Sequence, residues 1–312
     1  MIFHLVLILA ILVTVTTLAF LLSFCESKII ARGQQRLGPN RAGGWGFFHE
    51  FAVFRRAMSK EGIDSAVVTG FTPALGFCIV FLLPYIFLLA LMYPAYGFQL
   101  AVGGFPALLL LLMISLLIDD LFAFAFIDSS LRLRRRRALL ITSLGITILL
   151  LSCLVPLLRI ESGTLAEIAD SQKGFPYLAI LRSPFLLLAG ALAYVSTFYI
   201  IPSAPVSDSD ESVFSGARHT LHALTRFLWI VGVFGLWVTL FLGGGIDAEI
   251  SAVSLFSFLF KVFFVSLAFI WLRRSMPLMR IEDSLEFGFK RLLPLCGIAL
   301  LGELVWLMVF RS

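Results

Sequence analysis

Residues 2–24 read IFHLVLILAILVTVTTLAFLLSF and contain no Asp, Glu, Lys or Arg. A helix needs roughly 20 mostly apolar residues to cross the hydrocarbon core of a bilayer, so this stretch is long enough to span a membrane. It follows Met1 directly, with no basic segment before it and no small-residue cleavage site after it. We therefore expect a retained transmembrane helix and not a signal peptide.

Seven further stretches share this length and character. The predicted spans cover residues 2–24, 69–93, 101–126, 138–158, 177–201, 221–242, 253–272 and 292–310. The chain of 312 residues is 60% hydrophobic and 14% charged, whereas a soluble domain has about 25% charged residues. The sequence therefore predicts an all-α, polytopic integral membrane helical bundle of about eight transmembrane helices. We expect it to form a single membrane domain over residues 1–312.

Lys and Arg are concentrated in alternate loops. Residues 25–68, 127–137 and 273–291 are rich in them, whereas residues 94–99 and 243–252 have none. The positive-inside rule then places the basic loops in the cytoplasm and both termini on the other side. The net charge of +5 is read as topology and not as binding to nucleic acid. The arginines at 134–137 are either topogenic or hold anionic lipid head groups.

Cysteine and histidine are scattered along the chain. His219 and His222 share a helix face, but no further His or Cys joins them. We expect the cysteines to act as small apolar packing residues, and we expect no metal site.

The first basic loop contains an amphipathic pattern. Phe47, Phe51, Phe54 and Met58 recur at helical spacing, and charged residues lie off this stripe. The pattern is typical of a helix lying in the membrane surface. A helix packed on a partner protein fits it nearly as well.

Just before this helix, residues 31–43 read ARGQQRLGPNRAG. Gly-Pro-Asn favours a tight turn, and the arginines suit bidentate pairing with acidic groups on a docked protein. The stretch closely resembles the signature of the H subunit of bacterial NADH:quinone oxidoreductase, a membrane subunit of respiratory complex I. There the pattern runs Ala-Arg-x-Gln-x-Arg-x-Gly-Pro-Asn-Arg-x-Gly.

Further similarities follow in the same order along the chain. They are Lys60-Glu61, Gly163-Thr164-Leu165 through Gln172, Phe214-Ser215-Gly216 with Arg218, Lys261, Trp271-Leu272-Arg273, Pro277, Arg280, Lys290 and Leu293-Pro294. The resemblance covers essentially the whole chain. It implies a subunit of the bacterial inner membrane that forms the floor and mouth of a quinone chamber and docks a hydrophilic arm.

The resemblance also implies where ligands and partners bind. Quinone is the substrate, and NADH and the iron–sulfur clusters belong to partner subunits, while this chain has no redox centre and no covalently bound cofactor. The residues expected to contact quinone are Gln34, Arg36, Phe47, Phe48, Phe214 and Arg218. The residues expected to dock partner subunits are Arg32, Arg41, Lys60, Glu61, Arg273, Arg274 and Arg280.

The chain departs from the family at the buried acids that are thought to couple electron transfer to protons. Gly145 and Arg226 stand where the resemblance calls for glutamates, and Val53 stands where it calls for an aspartate. The remaining candidates for a proton path are Asp119, Asp120, Asp208, Asp210, Glu211 and Lys261. Asp119 and Asp120 either form a substitute proton site or face the interface beyond a span that ends near residue 118. Glu303 is expected at the interface.

Three functions remain open on the sequence. The leading hypothesis is a quinone-chamber subunit of a complex I-like oxidoreductase, associated with membrane lipids and the other subunits. The second is a diverged, proton-silent paralogue that anchors a related respiratory complex. An independent transporter ranks last, because it gives no reason for the arginine-rich Gly-Pro-Asn loop.

Overall fold

The computed structural model describes residues 2–60, 71–92, 108–114, 129–159, 172, 178–201, 217–244, 252–276 and 280–310. This part of the chain is helical and contains no strand, as predicted. The helices are α1 (Ile2–Gly33), α2 (His49–Met58), α3 (Phe71–Met92), α4 (Ser129–Leu157), α5 (Ala179–Arg182), α6 (Pro184–Ile200), α7 (Ala217–Phe241), α8 (Ala252–Ser275), α9 (Ile281–Phe287) and α10 (Leu293–Phe310).

Five helices in the described residues are long and apolar enough to cross a membrane. They lie at Ile8–Gly33, Leu139–Leu157, Thr220–Phe241, Leu255–Ser275 and Ile281–Val309. Shorter apolar helices lie in the predicted second and fifth spans. Residues 108–114 of the predicted third span are helical, and the rest of that span is outside the described residues. These helices fit a multi-pass membrane protein.

Helix α7 lies at the centre of the described bundle and packs against α1, α3, α6 and α8. Its side chains from Phe227 to Phe241 are almost all buried. The Trp237 indole donates from Nε1 to the Gly190 carbonyl of α6 at 2.9 Å. A helix that is apolar on every side belongs in the interior of a bundle, so residues at the ends of α7 are positioned by all its neighbours.

The predicted fifth span is broken in the structure. Ser183 stands between α5 and α6, and its Oγ accepts a hydrogen bond from the Leu186 backbone N–H at 3.1 Å. Pro184 occupies the first position of α6, where its missing N–H has no helical partner to lose. The Ser-Pro pair therefore starts a new helix, and α6 is shorter than the predicted span.

The last helix is longer than predicted. Helices α9 and α10 run together through a π-helical segment, Gly288–Leu292, so Lys290 lies on a helix and not in a loop. The π segment ends two residues before Pro294, which cannot donate to the preceding turn and makes a regular α-helix unfavourable there. The Tyr199 hydroxyl of α6 donates to the Ser284 carbonyl at 3.1 Å and holds this segment against the bundle.

Candidate functional site at one end of the helix bundle

The Gly-Pro-Asn loop folds back on the end of α1. The Arg36 backbone N–H donates to the Ala31 carbonyl at 2.9 Å, and the Lys28 ammonium donates to Asn40 Oδ1 at 2.6 Å. Gly46 has φ +82°, and a Cβ at this position would overlap the Pro39 carbonyl oxygen. Only glycine fits such a close approach with positive φ, so residues 39 and 46 fix the loop's shape.

Most of the described residues that were predicted to contact quinone or to dock partners are exposed. The exposed ones are Arg32, Gln34, Arg36, Arg41, Phe47, Phe48, Lys60 and Arg280. The Phe47 ring lies edge-on to Phe24 of α1, with ring centroids 5.9 Å apart, and edge-on to Phe48 at 5.5 Å. We call these exposed cationic and aromatic side chains the arginine–aromatic surface.

Helix α2 is held on α1 by polar and aromatic contacts. The Glu50 carboxylate accepts hydrogen bonds from Ser23 Oγ at 3.0 Å and Ser27 Oγ at 2.7 Å. Phe51 and Phe54 pack edge-on against Phe20, with centroids 6.2 and 5.4 Å apart. Part of the aromatic stripe thus packs within this chain.

A buried charged cluster lies at the same end of the bundle, and its central acid was not predicted from the sequence. Glu26 of α1 is 5% exposed. Its Oε2 accepts from Arg226 Nη2 at 2.8 Å, and its Oε1 accepts from Arg274 Nε at 3.0 Å and from Arg274 Nη2. Opposite charges at the same predicted end of the first, sixth and seventh spans were the signal that could have indicated this cluster.

Arg273 completes the cluster from inside. It was expected to dock a partner together with Arg274, but its side chain is buried and only 5% exposed. Its guanidinium lies over the Phe269 ring, 5.8 Å from the ring centroid. Arg273 Nε and Nη2 and Arg226 Nε are buried and have no hydrogen-bond partner among the described residues. Three guanidinium charges thus face the single carboxylate of Glu26, which leaves two positive charges in excess. We call these four residues the arginine cluster.

At Gly145, where the resemblance calls for a glutamate, α4 and α6 are in close contact. A Cβ on Gly145 would lie 2.6 Å from Tyr199 Cβ and 3.1 Å from the Ile200 backbone nitrogen. Two backbones this close leave no space for a longer side chain. The described structure therefore fills the position of the missing acid with packed side chains of α6.

A second polar cluster lies at the opposite end of the bundle. Glu303 was expected at the interface, but its carboxylate is fully buried, pairs with Arg159 and accepts a hydrogen bond from Ser183 Oγ.

Lys261 donates to the carbonyls of Leu242 at 3.0 Å and Gly244 at 3.2 Å. It therefore satisfies backbone acceptors that α7 leaves free at its C-terminal end.

Several predicted residues fall outside the described residues. They are Glu61, Asp119, Asp120, Asp208, Asp210, Glu211 and Phe214. The side chain of Arg218 is also outside the described part of the structure. Among the described residues no group of three His, Cys, Asp or Glu side chains could hold a metal ion.

The chain is similar to one family of proteins along nearly all of its length. The sequence profile of NADH dehydrogenase matches residues 5–303. The H subunit of the NADH-quinone oxidoreductase of Syntrophotalea carbinolica is 26% identical, over 95% of this chain and 93% of the relative. Subunit 8 of the Thermus thermophilus enzyme is 28% identical (94% and 82%), and the H subunit of the Dehalococcoides mccartyi enzyme is 29% identical (91% and 80%). Because the profile spans nearly the whole chain, this protein belongs to the NADH dehydrogenase family, and the relatives above are named as subunits of NADH-quinone oxidoreductase.

Proposed function

We propose that this chain is a membrane subunit of a complex I-like NADH-quinone oxidoreductase in the bacterial inner membrane. The observation that supports it best is the arginine–aromatic surface, in which the signature loop is held in one shape by Gly46 and Pro39. Its cationic groups remain exposed. In this proposal both termini lie on the non-cytoplasmic side, and the redox centres and the NADH site belong to partner subunits.

The quinone part of the proposal concerns the side of α1 that carries α2. A hydrophobic tail enters between the first and sixth spans near Phe47, Phe48 and Phe214, and the polar anchors are Gln34, Arg36 and Arg218. Sites for such ligands are mostly apolar with a few polar groups. Phe47 and Phe48 are both more than half exposed, which leaves aromatic surface available for the tail.

The docking part of the proposal concerns the exposed basic side chains. The residues that contact the hydrophilic arm are Arg32, Arg41, Lys60, Glu61 and Arg280, with Arg36 at the edge of the quinone site. Guanidinium groups suit bidentate pairs with carboxylates of a partner. Arg274 pairs with Glu26 in the arginine cluster, and Arg273 is buried there. In this proposal both residues stabilise the docking surface from inside the bundle.

A second candidate function is a proton-silent anchor in a related respiratory complex. Two observations favour it. Gly145 has no room for a titratable side chain, and Arg226 is committed to an ion pair with Glu26. In the coupled version of the enzyme, protons would instead use Asp119, Asp120, Asp208, Asp210, Glu211 and Lys261.

Purification in mild detergent tests the assignment to a complex. We expect wild-type chain to co-purify with soluble subunits that hold iron–sulfur clusters, and Arg41→Glu to lose them. Arg56→Glu is the matched control, because Arg56 is equally exposed but lies on α2 outside the predicted contact set. The number of protons moved per quinone reduced by the intact assembly separates the coupled enzyme subunit from the proton-silent anchor. Isolation of the wild-type chain alone under these conditions would contradict both functions.

A further inference from the structure

An open groove lies between α10 and the first turn of α6. It has a volume of about 390 Å³ and is lined by seven residues, of which Phe185 comes from α6 and the others from α10. Its lining is almost entirely apolar. Ile298, Leu301 and Val305 are 55%, 64% and 60% exposed, so the described residues leave the groove accessible from the surrounding membrane.

An aromatic ring forms the floor of the groove. Gly302 has no side chain, and a Cβ there would overlap the Phe185 ring. The Phe185 ring therefore lies directly against the backbone of α10, and it stands edge-on to Trp306, with the ring centroids 6.5 Å apart. Close packing on two sides restricts the ring, which keeps the groove open between α6 and α10.

The groove has the dimensions of a single hydrocarbon chain. It extends from Val309, one residue before the end of α10, to Ile298. At 1.5 Å per residue this is roughly 16 Å, and one leaflet of the hydrocarbon core is about 15 Å deep. The volume divided by this length gives a mean cross-section of roughly 25 Å². A helix with its side chains is about 10–12 Å wide, so its cross-section is several times larger.

A protein partner fits this groove less well than a lipid chain. A stable protein interface takes about 20–30 residues from each side, whereas seven residues line the groove. Interfaces between transmembrane helices are rich in small residues that let two backbones approach. The one glycine in the lining, Gly302, is covered by the Phe185 ring, so a second helix cannot approach α10 there.

We propose that the groove binds one acyl chain of a membrane phospholipid from the leaflet at the C-terminal end of α10. The chain lies along α10 against Phe185 and Trp306, with its ester end near Val309 and its methyl end near Ile298. A groove contacts the chain on more sides than an exposed helix face does, so the summed dispersion attraction retains this lipid longer than its neighbours. The head group stays outside the groove.

Photo-crosslinking of the full-length chain in lipid vesicles tests the site. The vesicles consist of phosphatidylcholine, a fraction of which carries a diazirine at the methyl end of one acyl chain, and mass spectrometry locates the labelled residues. Phe260 and Phe264 of α8 are the reference, because they are similarly exposed, at 52% and 50%, and do not line the groove. We expect Ile298 and Leu301 to be labelled about fivefold more than this reference, because a retained chain is sampled for longer.

Two tryptophan variants test whether the groove itself holds the chain. Val305→Trp fills the groove, and we expect the label at Ile298 and Leu301 to fall about fivefold, to the level of α8. Met308→Trp is the matched control, because Met308 is 76% exposed on the same helix and does not line the groove, and we expect no change. The label on α8 controls for insertion of each variant into the vesicles.

The position of the label tests the orientation of the chain. With the diazirine next to the ester group, we expect the label to move from Ile298 to Val309. Equal labelling of α10 and α8, or labelling of the groove that Val305→Trp leaves unchanged, would overturn the site. A groove that stays unlabelled while α8 is labelled would show that a second copy of this chain covers it, and would overturn the lipid as its occupant.

Discussion

Arg226 of α7 donates a hydrogen bond from Nη2 to Oε2 of Glu26 in α1, with the two atoms 2.8 Å apart. The arginine stands where relatives are expected to carry an acid, and the glutamate lies where α1 leaves the predicted first span. The two residues join the first helix to the central helix of the bundle. Arg226 therefore does more than replace the acid expected at this position, because it has a local electrostatic role in its ion pair with Glu26.

The arginine cluster predicts that its members contribute unequally to stability. Replacing Glu26 with Gln leaves three arginines without a counter-charge, and breaking a buried pair in this way costs about 3–5 kcal/mol. Replacing Arg226 with Met leaves Glu26 paired with Arg274, so we expect a smaller cost of about 1–3 kcal/mol.

Thermal unfolding of the detergent-solubilised protein measures this difference. Glu286→Gln is the control, because its ion pair with Lys290 is on the exposed surface, and we expect no measurable change. If Arg226→Met proves as destabilising as Glu26→Gln, the assignment of Arg274 as a second partner of Glu26 is wrong.

The close contact at Gly145 predicts that even one added methyl group is harmful. The Cβ of Gly145→Ala would lie 2.6 Å from Tyr199 Cβ, and neither backbone can move away without disturbing the packing of α4 against α6. We expect a loss of about 1–3 kcal/mol, as for other overpacked core positions.

Gly297→Ala provides a matched control for that substitution. Gly297 also lies inside a helix, but a Cβ there would meet no atom within 4 Å. We expect this variant to be neutral or more stable by about 0.5–1 kcal/mol, because alanine favours a helix interior over glycine. Equal melting temperatures for the two alanine variants would show that α4 and α6 are not in tight contact at Gly145.

The sequence was sufficient for features that depend on local pattern. Apolar runs of membrane-spanning length predicted helices. Gly-Pro-Asn predicted a tight turn, and the structure has a bend at Pro39 and a hydrogen bond from Lys28 to Asn40. The continuation of the last helix through Gly288–Leu292 was missed. There the charged residues suggested a loop, whereas Glu286 and Lys290 lie four residues apart on a helix and form an exposed ion pair.

Features that depend on distant contacts could not be predicted in this way. Glu303 was placed at the interface because it lies near the end of a span, but Arg159 and Ser183 approach it from two other helix ends. Arg273 was placed on the docking surface because basic residues cluster at that membrane face and the family resemblance implies docking there, but its side chain is buried. Hydropathy gives the depth of a residue in the membrane and does not indicate which neighbour it faces.

The Glu303 cluster predicts a structural role at the opposite end of the bundle. Glu303→Gln keeps an acceptor for Ser183 but loses the charge that pairs with Arg159, so we expect a loss of about 3–5 kcal/mol for a broken buried pair. Ser183→Ala removes one hydrogen bond and should cost about 1 kcal/mol. Thermal unfolding of both variants provides the comparison, and an unchanged melting temperature for Glu303→Gln would contradict the buried ion pair.

The final prediction is that this chain does not relay protons along the route expected for its family. Glycine at 145 has no titratable group, and arginine at 226 stays protonated at physiological pH. The packing now restricts how this can be tested, because Gly145→Leu would overlap Tyr199 and would abolish activity through misfolding alone. Arg226→Met is the informative variant, since Glu26 keeps its bond to Arg274.

In an assembled complex reconstituted in vesicles, we expect Arg226→Met to leave the number of protons moved per quinone reduced unchanged. The rate of quinone reduction, measured in the same vesicles, controls for loss of assembly. The fixed positive charge of the arginine cluster repels protons, so removing one of its charges does not interrupt a path that runs elsewhere. A fall in the proton ratio at an unchanged rate of quinone reduction would place Arg226 on the proton path and contradict this prediction.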